Sequence, residues 1–165
     1  MVRSVLAGTV VLVAFATMAA AQASVHVQPS HLEGPRSLAP QTANAVVQDY
    51  LEAWQTLHEA LGQNRVEALD RDFVGAAKDK LAETIQQQTK FGLRTNYQDR
   101  SHDIQIVFYS PEGLSIELTD SVEYDQQVLD RDKVLTTQHV SARYVVVLTP
   151  SETRWRVRVF QAVTE

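Results

Sequence analysis

The chain contains no cysteine. That excludes disulfides, thiol catalysis, cysteine-ligated zinc, iron–sulfur clusters and a lipid anchor on cysteine. It also lacks any block of Lys and Arg, and its formal net charge is −5. A mildly acidic protein is repelled by a phosphate backbone, so nucleic acid is not an expected partner. The familiar catalytic strings are missing as well: there is no G-x-G-x-x-G, P-loop, H-E-x-x-H, G-x-S-x-G or EF-hand loop. Asp130-Arg131-Asp132 has the spacing of a calcium-loop fragment, but the third acid, the glycine and the distal glutamate are absent, and the stretch reads as a turn. No cofactor and no metal site is expected.

Long apolar runs are scarce too. Val5 to Ala20 follows the short basic start Met1-Val2-Arg3 and precedes Ala21-Gln22-Ala23, an A-x-A cleavage pattern. The run falls short of the ~20 residues of a spanning helix. Residues 1–23 therefore read as a signal peptide, with export to the periplasm or the extracellular space and no permanent membrane span. An uncleaved N-terminal anchor is the competing reading. Three of the five prolines fall within residues 24–40, which show no sustained periodicity and read as a flexible linker. His26 and His31 in that linker lack the preorganised geometry of metal ligands.

What is present is one domain, residues 41–165, in a chain that is 44% hydrophobic and 21% charged, a balance that supports a packed core rather than disorder. Val46, Val47, Tyr50, Leu51, Trp54, Leu57 and Leu61 recur at helical spacing, predicting an amphipathic helix over 42–61 with Thr42 as its N-cap and Gly62 as its stop. A short second helix is expected within 64–73 and a third over 76–91, ended by Gly92. His58 falls at the boundary between the apolar and polar faces of the first helix. Asn96 to Asp103 reads as a polar connection. His102 and Asp103, as strand neighbours pointing to opposite faces, do not form an acid–base dyad.

Strands are then expected at about 103–109, 114–128, 134–148 and 154–163 in an antiparallel meander. The last two form a hairpin whose closing arm alternates Trp155, Val157 and Val159 with Arg154, Arg156 and Arg158. The even positions from Ile104 to Leu148 and the odd ones from Trp155 to Val159, with Phe108, Leu114 and Val128 among them, form the expected inner face. The arginine row is expected to be a solvated outer face, opposite Glu117, Glu123 and Asp125.

This order gives an α+β class: three N-terminal helices packed on the concave face of a curved antiparallel sheet of at least four strands. The Tyr50/Trp54 helix, the short helix ending Leu69-Asp70-Arg71-Asp72-Phe73 and the closing strand Arg154 to Phe160 resemble the NTF2-like (SnoaL-like, cystatin-like cone) superfamily over roughly residues 42–163. The resemblance implies a pocket between sheet and helices. It also implies relatives that range from ketosteroid-isomerase-like enzymes, polyketide cyclases and dehydratases to non-catalytic binding or assembly modules, often dimeric.

One residue breaks the inner face. Alternation puts Asp120 between Leu118 and Val122, with Tyr124 on the same side. Burial raises a carboxyl pKa and a phenol can hydrogen-bond it, so Asp120 and Tyr124 are the candidate catalytic pair, a combination ketosteroid-isomerase-type sites use. A bulge turning Asp120 to water is the structural alternative. Tyr50, Trp54, Tyr144 and Trp155 are the candidate pocket lining. The expected function is an exported, non-enzymatic small-ligand-binding or protein-interaction module. The partners considered are a small apolar ligand and a second copy through the sheet. The alternative is a small-molecule isomerase, lyase or cyclase built on Asp120.

Overall fold

Period-two patterning is obeyed over long stretches, and the result is one five-stranded sheet. The structure, a computed structural model, describes residues 22–30, 32, 34 and 36–163. The expected signal peptide, apart from Gln22 and Ala23, lies outside these residues, as does His31. The elements are β1 (Ser24–Val27), α1 (Pro40–Gln63), a 3₁₀ helix (Val66–Arg71), α2 (Gly75–Lys90), β2 (Leu93–Tyr109), β3 (Ile116–Asp130), β4 (Lys133–Pro150) and β5 (Trp155–Val163). Spatial order follows chain order, β1-β2-β3-β4-β5. Strands β2 to β5 form an antiparallel meander.

Two expectations are corrected at the N-terminal side. The stretch expected to be a flexible linker contains β1, which pairs parallel to β2 from Ser24↔Ser101 to Val27↔Ile104, so the sheet is mixed rather than wholly antiparallel. Gln28 pins this strand, donating its backbone N–H to Ile104 O at 2.8 Å and its Nε2 to Asp103 Oδ2 at 2.7 Å. Further along, Leu32 and Leu38 pack against the core. Arg36 covers the Tyr109 ring at 4.6 Å. The second correction concerns Asn96 to Asp103, which belong to β2 and not to a connection. Polar side chains there mask a backbone paired with β3 at every position except the bulged Arg100.

Helix α1 follows its stripe: Val46, Tyr50, Ala53, Trp54, Leu57, Ala60 and Leu61 are buried at three- and four-residue intervals. Its ends differ from expectation. Ala39 is the N-cap and Pro40 occupies the first turn, where its missing N–H has no helical partner to lose, so Thr42 lies inside the helix. At the other end Asn64, not Gly62, takes the left-handed conformation at φ 54°. Asn64 Nδ2 donates to Leu93 O at 2.8 Å, tying the cap to β2. Gly62 instead marks a close approach, because a Cβ there would lie 3.0 Å from Asn96 Oδ1. The second helix is a single 3₁₀ stretch with Leu69 as its buried anchor.

Bulges reset which residues face inward. Register shifts fall between Asp99 and Ser101, between Ile106 and Phe108, between Val128 and Leu129, and between Val147 and Leu148. On β2 the inner face is therefore Thr95, Tyr97 and Asp99 before the first bulge and His102, Ile104 and Ile106 after it. Tyr109 takes the buried place expected for Phe108, while Val128 keeps its inward side opposite the buried Thr95. In β5, Phe160 joins the core in place of Val159. Leu114 sits in the β2–β3 turn and is 63% exposed. The core between helices and sheet includes Leu69, Phe73, Ile85, Ile104, Ile116, Leu118, Leu148 and Val157. Each fully buried aliphatic or aromatic side chain of this size stabilises the fold by about 1.5–3 kcal/mol.

Candidate functional site

Asp120 sits on the inner face of β3 and is 0% exposed, so no bulge turns it outward. A carboxylate there needs partners, and two elements, α1 and β2, supply three of them. Tyr50, on the buried stripe of α1, donates its hydroxyl to Asp120 Oδ2 at 2.8 Å. His102 on β2 places Nδ1 2.7 Å from the same oxygen. The Asp103 N–H donates to Oδ1 at 3.1 Å. Both carboxylate oxygens are thus occupied, and the residue links α1, β2 and β3.

The chain of polar groups continues towards the rim. His102 Nε2 lies 3.5 Å from Asp99 Oδ2, which the bulge after Asp99 brings onto the same face. Asp99 Oδ1 is 3.2 Å from His58 Nε2, without the alignment of a hydrogen bond. His58 stacks on Tyr97 with ring centroids 5.4 Å apart. Burial alone would lower the His102 pKa, but Asp120 and Asp99 outweigh it and lift the imidazole to about 9. Asp99 is likewise opposed by burial, yet His102 and His58 hold it down at about 2. Burial, reinforced by the Asp120 charge, raises the Tyr50 phenol well above its ordinary range. At neutral pH Tyr50 is therefore a phenol, His102 an imidazolium and Asp99 a carboxylate.

Aromatic rings occupy the space enclosed by the cluster. Trp54 is 2% exposed and its ring lies within 6 Å (5.3–5.9 Å centroid to centroid) of His58, His102, Tyr124, Tyr144 and Phe160. Tyr144 stacks on Phe160 at 4.6 Å. Among the expected site residues, Tyr124 does not reach Asp120; its hydroxyl pairs with that of Tyr144 at 3.3 Å. Burial comes first in raising the Tyr97 phenol to about 12, with Tyr124 adding to it, and burial also raises the Tyr144 phenol. Trp155 stands apart from the other three lining candidates. It packs near Tyr109, at 6.4 Å, and its backbone N–H donates to Asp49 Oδ2 at 2.7 Å.

The inward-turned histidines and Asp99 were not expected at the site. A signal for His102 was present: the two-residue beat carried back one step from Ile104 reaches it. Asp99 and His58 carried no such signal, because a bulge and a helix boundary decide their direction.

A second buried carboxylate anchors the helices to β5. Asp72, 0% exposed, accepts from Thr56 Oγ1 at 2.5 Å, Arg71 Nε at 2.9 Å and Arg154 Nη1 at 2.6 Å. Burial would raise its pKa, but these three donors hold it below the ordinary carboxylate range. Arg154 also reaches Glu52 Oε2 at 3.2 Å, and Arg156 donates to the carbonyls of Asp70 and Phe73. The expected solvated arginine row is thus corrected at two of three positions: helix-end carbonyls and a buried acid capture the guanidiniums. Among the described residues, no group of three or more His, Asp or Glu is arranged to hold a metal ion. Two clefts open on the outside, one of about 390 Å3 between α1 and β1 and one of about 360 Å3 beside the 3₁₀ helix and the β4–β5 turn.

The arrangement of a helix pair on a curled meander can be compared with solved structures. The chain is similar to the intermembrane space region of the chloroplast protein ARC6, with a TM-score of 0.64 at 15% identity, covering 79% of this chain and 100% of that one. It is also similar to a putative scytalone dehydratase from Novosphingobium aromaticivorans, with a TM-score of 0.51 at 12% identity, covering 76% and 89%. The fold is an NTF2-like cone. Kfla4162 from Kribbella flavida shares the cone at a TM-score of 0.50 and 8% identity over 74% of this chain and 93% of its own. No protein-family profile matches the sequence, and no curated protein aligns with it. Among the described residues, no helix is long and apolar enough to cross a membrane.

Proposed function

We propose that this protein is a non-enzymatic interaction module, exported by its N-terminal segment, that uses the outside of the cone rather than its interior. The observation that carries this reading is the occupation of the interior. Trp54 stands against five rings where a pocket-forming cone would hold its ligand. Catalysis by Asp120 would need a substrate to reach it, and the carboxyl is 0% exposed with three protein partners already on its oxygens. The cluster instead serves specificity of packing, holding α1 at one register on the sheet. The test is a titration with small aromatic and steroid-like ligands, followed by thermal shift and by NMR of the Trp54, Tyr124 and Tyr144 rings. The reading expects no stabilisation and no movement of those ring signals; saturable binding that moves them would overturn it. N-terminal sequencing of the exported product tests the export half, with a start near Ser24 expected.

A second reading, a small-molecule isomerase or lyase, is favoured by one observation. Asp120, His102, Asp99 and His58 run in a line from the core to the half-exposed rim, as a proton path would. It requires the Trp54 ring to swing away and open the cone. Turnover lost in an Asp120→Asn variant that still folds would establish it.

A further inference from the structure

An unguarded sheet edge lies beside the cleft between α1 and β1. Gln28 gives its N–H to β2, so by the alternation of a strand Ser24, His26 and Gln28 turn their backbone groups inward. The N–H and C=O groups of Val25 and Val27 therefore point away from the sheet, where β1 has no further strand neighbour among the described residues. Their side chains are 45% and 48% exposed. Val27 also lines the cleft with Ala43, Val47 and Leu51 of α1, together with Gln48 and Gln55.

The other edge of the sheet is handled differently. There Val157 exchanges both backbone bonds with the segment before α2, through Val74 N–H and Asp72 O. Among the described residues β1 carries no Lys, no Pro within the strand and no bulge, and its shortness, four residues, is the one usual protection it has.

From this geometry we infer that β1 pairs antiparallel with β1 of a second copy about a two-fold axis at His26, joining two sheets into one of ten strands. Val25-His26-Val27 is self-complementary in this register. Val25 lies opposite Val27 of the other copy and exchanges both bonds with it, and the reverse pair does the same, giving four hydrogen bonds. The four valines then form one apolar row on the helix side, continuous with the cleft of each copy. The strand carries no acidic side chain, so the pairing sets no two carboxylates of β1 against each other. Four residues a side make a small interface, and the dimer is accordingly weak and concentration-dependent.

The absence of cysteine supplies a clean test. In the paired register the two His26 Cα atoms stand about 4.5 Å apart, within the ~4.4–6.8 Å range that a disulfide spans. His26→Cys should therefore give a covalent dimer on mild oxidation. Gln28→Cys, about 14 Å from its own copy in that register, should not. Val25→Pro removes one outward N–H and no bond to β2. It should retain the wild-type fold by circular dichroism and lose the dimer in sedimentation equilibrium. A wild-type protein that stays monomeric at high concentration, equal cross-linking of the two cysteine variants, or a Val25→Pro variant that still dimerises would each overturn the inference. None of these outcomes bears on whether the cone binds a small ligand, so the two proposals fail separately.

Discussion

Replacing Asp120 by Asn is the sharpest perturbation of the buried cluster. The carboxylate accepts from the Tyr50 hydroxyl, His102 Nδ1 and the Asp103 N–H, at 2.8, 2.7 and 3.1 Å. Asparagine keeps the shape and one acceptor, but it turns an NH2 towards a donor and removes the charge facing the His102 imidazolium. Breaking one side of a buried, hydrogen-bonded ion pair costs about 3–5 kcal/mol. Against a domain stability of about 5–15 kcal/mol, the variant should fold but sit close to its limit, with Tm lowered by roughly 10 °C. Urea unfolding followed by circular dichroism measures the difference, and an unchanged m-value shows that the unfolded state is the same. Asp125→Asn is the control: Asp125 pairs with Arg100 and His139 on the solvent face, and its loss should leave the unfolding midpoint close to that of the wild type. An Asp120→Asn protein within about 1 kcal/mol of wild type would refute the claim that this carboxylate is a paired and essential part of the core.

Two further outcomes follow from the same charges. His102 is raised to about 9 from 6.5, so its contribution to stability is complete below about 6.5 and is lost as pH rises through 9; Asp99, lowered to about 2, contributes above about 4 and loses that contribution as pH falls through 2. Stability measured in urea should therefore be highest between about pH 4 and 6.5, and His102→Gln should flatten the alkaline limb; a wild-type curve level from pH 6 to pH 10 would contradict the assignment. Arg154→Ala leaves the buried Asp72 with Arg71 and Thr56 alone and should cost about 2–4 kcal/mol, whereas an arginine on a solvated face would cost almost nothing on removal; calorimetry of the variant decides between them.

The inner face of β3 was legible because Ile116, Leu118, Val122 and Tyr124 keep a strict beat, and Asp120 was legible because it interrupts that beat. Its partners were not. Tyr50 lies 70 positions away on α1 and reads there as one more core aromatic. His102 carried a signal only for a beat extended back from Ile104 into the polar run Asn96 to Asp103, which looks like a connection. In the fold those residues are a strand whose hydrogen bonds are satisfied by β3, and hydrophobicity says nothing about that. Bulges explain the remaining misplacements. An extra residue flips the facing of everything beyond it, so Tyr109 and Phe160 took places expected for Phe108 and Val159. The same shift set Asp99 and His102, three apart, on one side. Arg154 and Arg156 alternate as solvent-facing residues do, but the 3₁₀ helix lies over the start of β5 and takes both.

The claim on which the functional reading depends is that the Trp54 indole fills the cone. Trp54→Ala should cost about 3–5 kcal/mol and leave a cavity the size of the missing ring. Titrating free indole into both proteins, followed by calorimetry and Tyr144 ring shifts, tests this directly. The account predicts binding and partial recovery of stability in the Trp54→Ala protein and no binding in the wild type. Indole bound by the wild type as well as by the variant, with the Tyr144 signals moving in both, would show that the cone is open and contradict the account.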